Sequence, residues 1–271
     1  MLHIIGIGAK IKHINFEMFE LIKLSEKVYL EYYTSFYQDS FEDLEKFLEK
    51  KVEILNREKV EVEIDELILS EAKEKDIAFL VLGDPLIATT HTDLILRAKK
   101  RKIPCKVYNN VSIANFITRT GLQFYKFGKI SSIPFFSDKF KPRTPYIIYL
   151  DNFKMGAHSL FLLDLNPSND FAYKGNEKYL KAGIALEYLL ELPKLMLDNE
   201  DIEEKDALAL DGETMALICS RLGFDDEEIV YDTIDNLIKM DKTRNFKEPL
   251  CLIIPGDLHE MEKDFLMQFS L

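Results

Sequence analysis

The first part of the chain alternates short apolar runs with amphipathic stretches. Residues 2–7 (LHIIGI) are an apolar run of strand length, and residues 28–32 (VYLEY) predict a second strand. Phe16, Phe19, Ile22 and Lys23 fall at helical spacing. Phe41, Leu44, Phe47 and Leu48 mark another helix, and Ile64, Leu67, Ile68, Glu71 and Ala72 a further one. Residues 77–82 (IAFLVL) are continuously apolar, which suits a strand covered on both faces of a parallel sheet. A helix over residues 92–101 and a short strand over 105–108 follow. This alternation predicts a doubly wound α/β domain.

Beyond Asn109-Asn110 the texture changes. Residues 131–136, 159–165, 207–210, 215–220, 229–231 and 250–254 read as strands with fewer helices between them, an α+β pattern with a more antiparallel sheet. The expectation is a two-domain α/β protein, with a mostly parallel N-terminal sheet in residues 1–110 and a mixed α+β domain in residues 111–271. Residues 166–176 and 198–205 read as polar loops, the second a solvated acidic run.

Composition narrows the classes. The 271 residues suffice for one large domain or two modest ones, and 47% hydrophobic with 11% aromatic residues is the make-up of a folded chain. Forty-seven acidic against 35 basic residues give a net charge of −12, which disfavours general coating of nucleic acid without excluding a local basic patch. Cys105, Cys219 and Cys251 are odd in number and widely spaced, arguing against a disulfide framework or zinc knot and for a reducing compartment. No basic leader precedes the first apolar run, and no uncharged run reaches the ~18 residues of a bilayer span. A soluble, cytoplasmic protein is expected.

Three loops carry candidate chemistry. Gly6-Ile7-Gly8 follows the first strand and Glu31 ends the second, a layout that mimics the dinucleotide fingerprint, although Ile11 stands where the third glycine belongs. A plain tight turn explains the glycines as well. Residues 82–91 (LGDPLIATTH) cap the buried strand and open a helix. There Gly83 admits close approach, Pro85 stiffens the turn and Asp84 offers a carboxylate, while Thr89, Thr90 and His91 gather near a helix N-terminus. A Gly-Asp-Pro turn with threonine caps is the structural alternative. Residues 109–115 (NNVSIAN) again link a strand to a helix, where Ser112 and the backbone can hold an amide or carboxylate, or simply cap the helix. No Ser-His-Asp order, HExxH or Walker loop is present, and His3, His13, His91, His158 and His259 are scattered, so no metal centre is predicted.

Taken together these segments resemble the diphthine synthases, methyltransferases of the tetrapyrrole-methylase fold. The resemblance runs through the opening glycine loop, Lys27-Val28-Tyr29-Leu30-Glu31 with Tyr33-Thr34-Ser35, Gly83-Asp84-Pro85 with Ala88-Thr89-Thr90-His91, and Asn110-Val111-Ser112-Ile113. It continues through Gly121-Leu122-Gln123-Phe124-Tyr125-Lys126-Phe127-Gly128-Lys129, Leu162-Leu163-Asp164, Ser220-Arg221-Leu222-Gly223, and Glu248-Pro249 to Pro255-Gly256. It implies S-adenosyl-L-methionine as cofactor, held in a cleft between two domains of a homodimer. The implied substrate is a modified histidine of the translation elongation factor, methylated repeatedly on its amino group and, in eukaryotic members, on the carboxylate. The implied cofactor positions are Ala9, Asp84, Ile87, Ser112, Ile113, Leu163, Leu222 and Leu250. No residue is singled out as a catalytic base.

The chain departs from the family in places. Residues 10–15 (KIKHIN) replace its aspartate-bearing turn, Ala9 stands where leucine is usual, Leu250 stands near the place of a family histidine, and the linker after Asp164 is shorter. A tetrapyrrole or RNA methyltransferase of the same fold, and a binding protein that kept the fold without turnover, are the competing readings.

Overall fold

The computed structural model describes residues 1–137, 139–165 and 179–270. The predicted polar loop at 166–176 lies outside the described residues. The chain divides into two compact units, Met1–Phe116 and Ile117–Leu271.

Unit 1 carries strands β1 (Leu2–Gly6), β2 (Lys27–Glu31), β3 (Glu53–Leu55), β4 (Ile77–Val81) and β5 (Cys105–Tyr108). They form one parallel sheet in the order β3-β2-β4-β1-β5. The continuous apolar runs sit where burial on both faces requires them, since every residue of β1 and of β4 is buried. Side-chain alternation then divides the core. Leu2, Ile4, Ile77, Phe79 and Val81 join one cluster, while Ile5, Val28, Leu30, Ala78 and Leu80 join the other. Helices α1 (Phe16–Leu24), α2 (Phe41–Leu48), α3 (Arg57–Glu61), α4 (Thr92–Lys100) and α5 (Ile113–Phe116) link the strands. Asn15 and Ser40 start α1 and α2 by accepting from the backbone N–H groups of Met18 and Asp43. The helix expected over 64–72 is instead a π-helical turn, Asp65–Leu69, followed by the 3₁₀ turn Glu71–Lys73. The Ser70 hydroxyl there bonds back to the Glu66 carbonyl, the competition with the helix ladder that serine brings.

Unit 2 carries β6 (Phe127–Ile133), β7 (His158–Leu163), β8 (Met215–Ser220), β9 (Glu228–Thr233) and β10 (Leu250–Ile254), in the order β6-β7-β10-β8-β9. β6 and β7 are parallel and the other pairs antiparallel, giving the mixed sheet expected. Helices α6 (Thr144–Lys154), α7 (Ala182–Asp198), α8 (Glu204–Ala207), α9 (Ile234–Arg244) and α10 (Glu260–Leu266) make this unit richer in helix than its strand pattern predicted. Two strand boundaries are corrected. β6 begins four residues earlier than expected and ends before Pro134, which has no N–H for the ladder. Residues 207–210, expected as a strand, instead begin with the last residue of the single turn of α8, which Glu203 initiates in extended conformation.

Candidate functional site

β4, β1 and β5 are neighbours, so the three candidate loops leave adjacent strands at the carboxyl end of the parallel sheet, where ligands bind in open α/β folds. Backbone bonds join the first two loops: Gly8 N–H donates to the Gly83 carbonyl at 3.1 Å, and Gly83 N–H returns a bond to Gly8 at 2.9 Å. A side chain on Gly6 would lie 2.6 Å from the Gly83 carbonyl and 2.8 Å from Pro85, so this glycine serves loop-to-loop packing. Gly83 is different. Its φ of +71° demands glycine, yet the nearest atom to an added Cβ is Ser112 Cβ at 3.4 Å.

Asp84 is the tie that binds the second loop to the third. Its Oδ2 accepts from Asn109 Nδ2 and Asn110 N–H, each at 3.0 Å, and its Oδ1 from Leu86 N–H at 2.8 Å. Asn110 carries the connection on to the first loop, donating from Nδ2 to the carbonyls of Gly6 at 2.8 Å and His13 at 3.0 Å. Two asparagines that read as turn formers thus cross-link the loops.

The threonine caps of the structural alternative are not formed ahead of α4, whose N-cap is His91 with no side-chain cap bond. Thr89 Oγ1 and His91 Nδ1 both turn back to the Pro85 carbonyl, closing the loop on itself. A carbonyl only accepts, so Nδ1 carries the proton, and burial lowers the His91 pKa to keep the ring neutral. Its Nε2 has no hydrogen-bond partner among the described residues. Ser112 behaves likewise. Its carbonyl and N–H join the first turn of α5, but its hydroxyl is buried and unpartnered among the described residues.

The dinucleotide-fingerprint alternative fails on topology. β4 lies between β1 and β2, so Glu31 stands beside the second loop, accepting from Leu82 N–H at 3.3 Å and from Thr34 Oγ1 at 2.6 Å. Burial pushes its carboxyl up to about 7 against these donors. The glycines of the first loop are turn and packing glycines, with Gly8 at φ +65°.

The structure therefore brings Ala9, Asp84, Ile87, Ser112 and Ile113 to one end of one sheet. Leu86 and Ile87 of the second loop, 39% and 41% exposed, offer aliphatic surface, and the third loop holds the unpartnered Ser112 hydroxyl, whose Cβ lies 3.4 Å from where a Cβ on Gly83 would stand. The donor set suits a ligand with both polar and apolar parts.

In unit 2, Leu163 ends β7, Leu250 begins β10 and Leu222 follows β8. The registers Cys251↔Leu162 and Leu250↔Ser220 put all three at one end of that sheet. All three are at least nine-tenths buried. Arg221 shapes the Leu222 turn, with N–H on the Pro249 carbonyl at 2.9 Å and Nη1 on the Glu248 carbonyl at 3.2 Å.

The GLQ-x-YKFGK segment owes its shape to a buried carboxylate. Glu262 Oε1 accepts from Gln123 N–H at 2.9 Å and His158 Nε2 at 3.0 Å, and its Oε2 from Lys126 Nζ and His259 N–H. Gly256 N–H donates to His158 Nδ1 at 2.9 Å, which settles the tautomer with the proton on Nε2. Burial pushes the Glu262 carboxyl upward, and the donors outweigh it, bringing it down to about 2.

Residues 1–238 match the family model of the tetrapyrrole (corrin/porphyrin) methylases, and the chain belongs to that family. Within it, the similar proteins are diphthine synthases. One from Methanococcus maripaludis is 38% identical over 269 residues, covering 98% of this chain and 97% of its own. A diphthine methyl ester synthase of Dictyostelium discoideum is 39% identical over 282 residues, covering 100% and 98%. The crystal structure of a candidate diphthine synthase from Entamoeba histolytica superposes with a TM-score of 0.84 at 34% identity, covering 100% of this chain and 98% of that one.

Proposed function

We propose that this chain is an S-adenosyl-L-methionine-dependent methyltransferase that repeatedly methylates the diphthamide precursor on a modified histidine of the translation elongation factor. The observation that carries the reading is the loop set of unit 1: three loops cross-linked through Asp84 and Asn110, presenting the buried Ser112 hydroxyl without a partner among the described residues. Extensive similarity to diphthine synthases supports the substrate class.

When bound, S-adenosyl-L-methionine would supply an already activated methyl group on its sulfonium. What remains for the protein is positioning. Asp84 holds the second and third loops in register and acts through them. Ser112 is the hydroxyl available to bond the ligand, with Ala9, Ile87 and Ile113 as apolar or backbone contacts. The enzyme works in the cytoplasm as a homodimer on a protein substrate, with neither nucleic acid nor membrane as partner. No described helix is long and apolar enough to cross a membrane.

Incubation with elongation factor bearing the unmethylated precursor and labelled cofactor will transfer label. Mass spectrometry of the modified-histidine peptide will count the methyl groups and reveal any ester. No transfer at saturating cofactor overturns the reading, and cofactor binding without turnover on this substrate favours a binding protein.

A further inference from the structure

The geometry of the first loop depends on one side chain in the segment that follows it. Ala9 N–H donates to His13 Nδ1 at 3.1 Å. The His13 side chain packs closely on the preceding glycine: a Cβ on Gly8 would meet His13 Cβ at 2.5 Å, Nδ1 at 2.7 Å and Cγ at 2.9 Å. The His13 carbonyl accepts from Asn110 Nδ2, the same amide that bonds the Gly6 carbonyl. His13 is thus joined to both ends of the Gly6–Ala9 turn, and its ring stands 5.7 Å from that of Phe116 in α5, the helix that Ser112 opens. The next peptide is also held, since the Ala9 carbonyl accepts from Gln38 N–H at 2.9 Å.

We propose that His13 is a positioning residue for the cofactor, setting the Gly8–Ala9 peptide through Nδ1. This rests on the reading that the first loop contacts S-adenosyl-L-methionine. The chemistry required of the side chain is specific. It must present an unprotonated acceptor one bond beyond Cγ, and it must have a planar group at Cγ that fits the tight space beside Gly8. A neutral imidazole with its proton on Nε2 meets both requirements. So does an asparagine, whose Oδ1 occupies the equivalent place. Phenylalanine meets only the second, leaving a C–H facing the Ala9 N–H.

The test compares the wild-type protein with His13→Phe and His13→Asn. Three quantities are measured: the Kd for S-adenosyl-L-methionine, the KM and kcat of methyl transfer, and Ala9 amide hydrogen exchange without cofactor. Losing one neutral hydrogen bond within a positioned loop corresponds to about a tenfold rise in Kd and in cofactor KM for His13→Phe, with the loss on KM and not on kcat. His13→Asn is expected to recover most of that loss. Ala9 amide exchange quickens in His13→Phe and returns toward the wild-type rate in His13→Asn. Equal cofactor affinity in wild type and His13→Phe, or equal loss in both variants, overturns the proposal. If the wild-type protein binds no S-adenosyl-L-methionine, the functional reading fails. The exchange rates still decide whether Nδ1 holds the loop, since unchanged exchange in His13→Phe rejects that by itself.

Discussion

Glu262 in unit 2 and Glu31 in unit 1 are both buried carboxyl groups, and their surroundings drive them in opposite directions. Glu262 collects two backbone N–H groups, an imidazole and an ammonium, which bring it down to about 2 against the pull of burial. Glu31 collects a hydroxyl and backbone N–H groups but no cation among the described residues. Burial wins there, and the group rises to about 7 with Oε2 unpartnered among those residues. The lesson lies in the completeness of each network. A fully satisfied buried network is scaffold, fixing the 121–128 segment against α10. Buried polar atoms left over at one end of a parallel sheet, as at Glu31, His91 and Ser112, carry a desolvation cost that a framework alone does not explain.

The comparison can be broken at its strong end first. Glu262→Ala removes four bonds and leaves Lys126 and His158 without their anion, so a loss of about 3–5 kcal/mol is expected. For a chain this size that lowers Tm by about 10 °C in thermal unfolding. An unchanged Tm denies the scaffold role.

Glu31→Gln works with the opposite sign. A carboxyl raised in the folded state makes stability fall as pH rises from the unfolded pKa, 4.5, through the folded one at about 7. The neutral amide lacks that slope. Denaturant titrations should show the variant more stable by about 2–3 kcal/mol above pH 7, with the difference vanishing below about pH 4.5. A pH-independent difference rejects the assignment.

Ser112→Ala sharpens the contrast, since its hydroxyl bonds nothing among the described residues. Stability should stay within about 0.5 kcal/mol while S-adenosyl-L-methionine binds about tenfold more weakly in calorimetry. Large destabilisation with unchanged affinity would make it a structural serine. The smallest effect concerns the charge of −12. If it steers the basic surroundings of the substrate histidine, association with elongation factor should slow a few-fold as salt screens the field, with the dissociation rate little changed.

How much of this was legible beforehand varies by residue. β1, β4 and β10 appear almost where their apolar runs placed them, because a buried strand is written as a local, continuous signal. The spacing of Ala182, Ala185, Leu186, Leu189, Leu192 and Met196 is equally periodic, yet α7 went unread; Pro193 sits inside it and breaks the simple pattern. Asp84 stood out as a site residue for its loop, but its oxygens hold Asn109, Asn110 and Leu86. His13 looked like one scattered histidine among five, and nothing in KIKHIN shows that its ring closes on Ala9. Glu31 was read against Gly6-Ile7-Gly8, its partner in sequence logic, whereas its partner in space is Leu82.

By itself the sequence determined the secondary elements with strong periodicity, the α/β class, the mixed second sheet and the family, because each rests on local pattern or on motif identity. Strand order, and with it the meaning of every loop residue, was decided only in three dimensions. Inserting β4 between β1 and β2 moves Glu31 from one glycine loop to another, and no local interaction among residues 1–31 encodes that choice. Which polar groups pair and which stay unpartnered is likewise a tertiary outcome, since hydrogen bonding depends on neighbours up to 139 residues apart, as between Gln123 and Glu262.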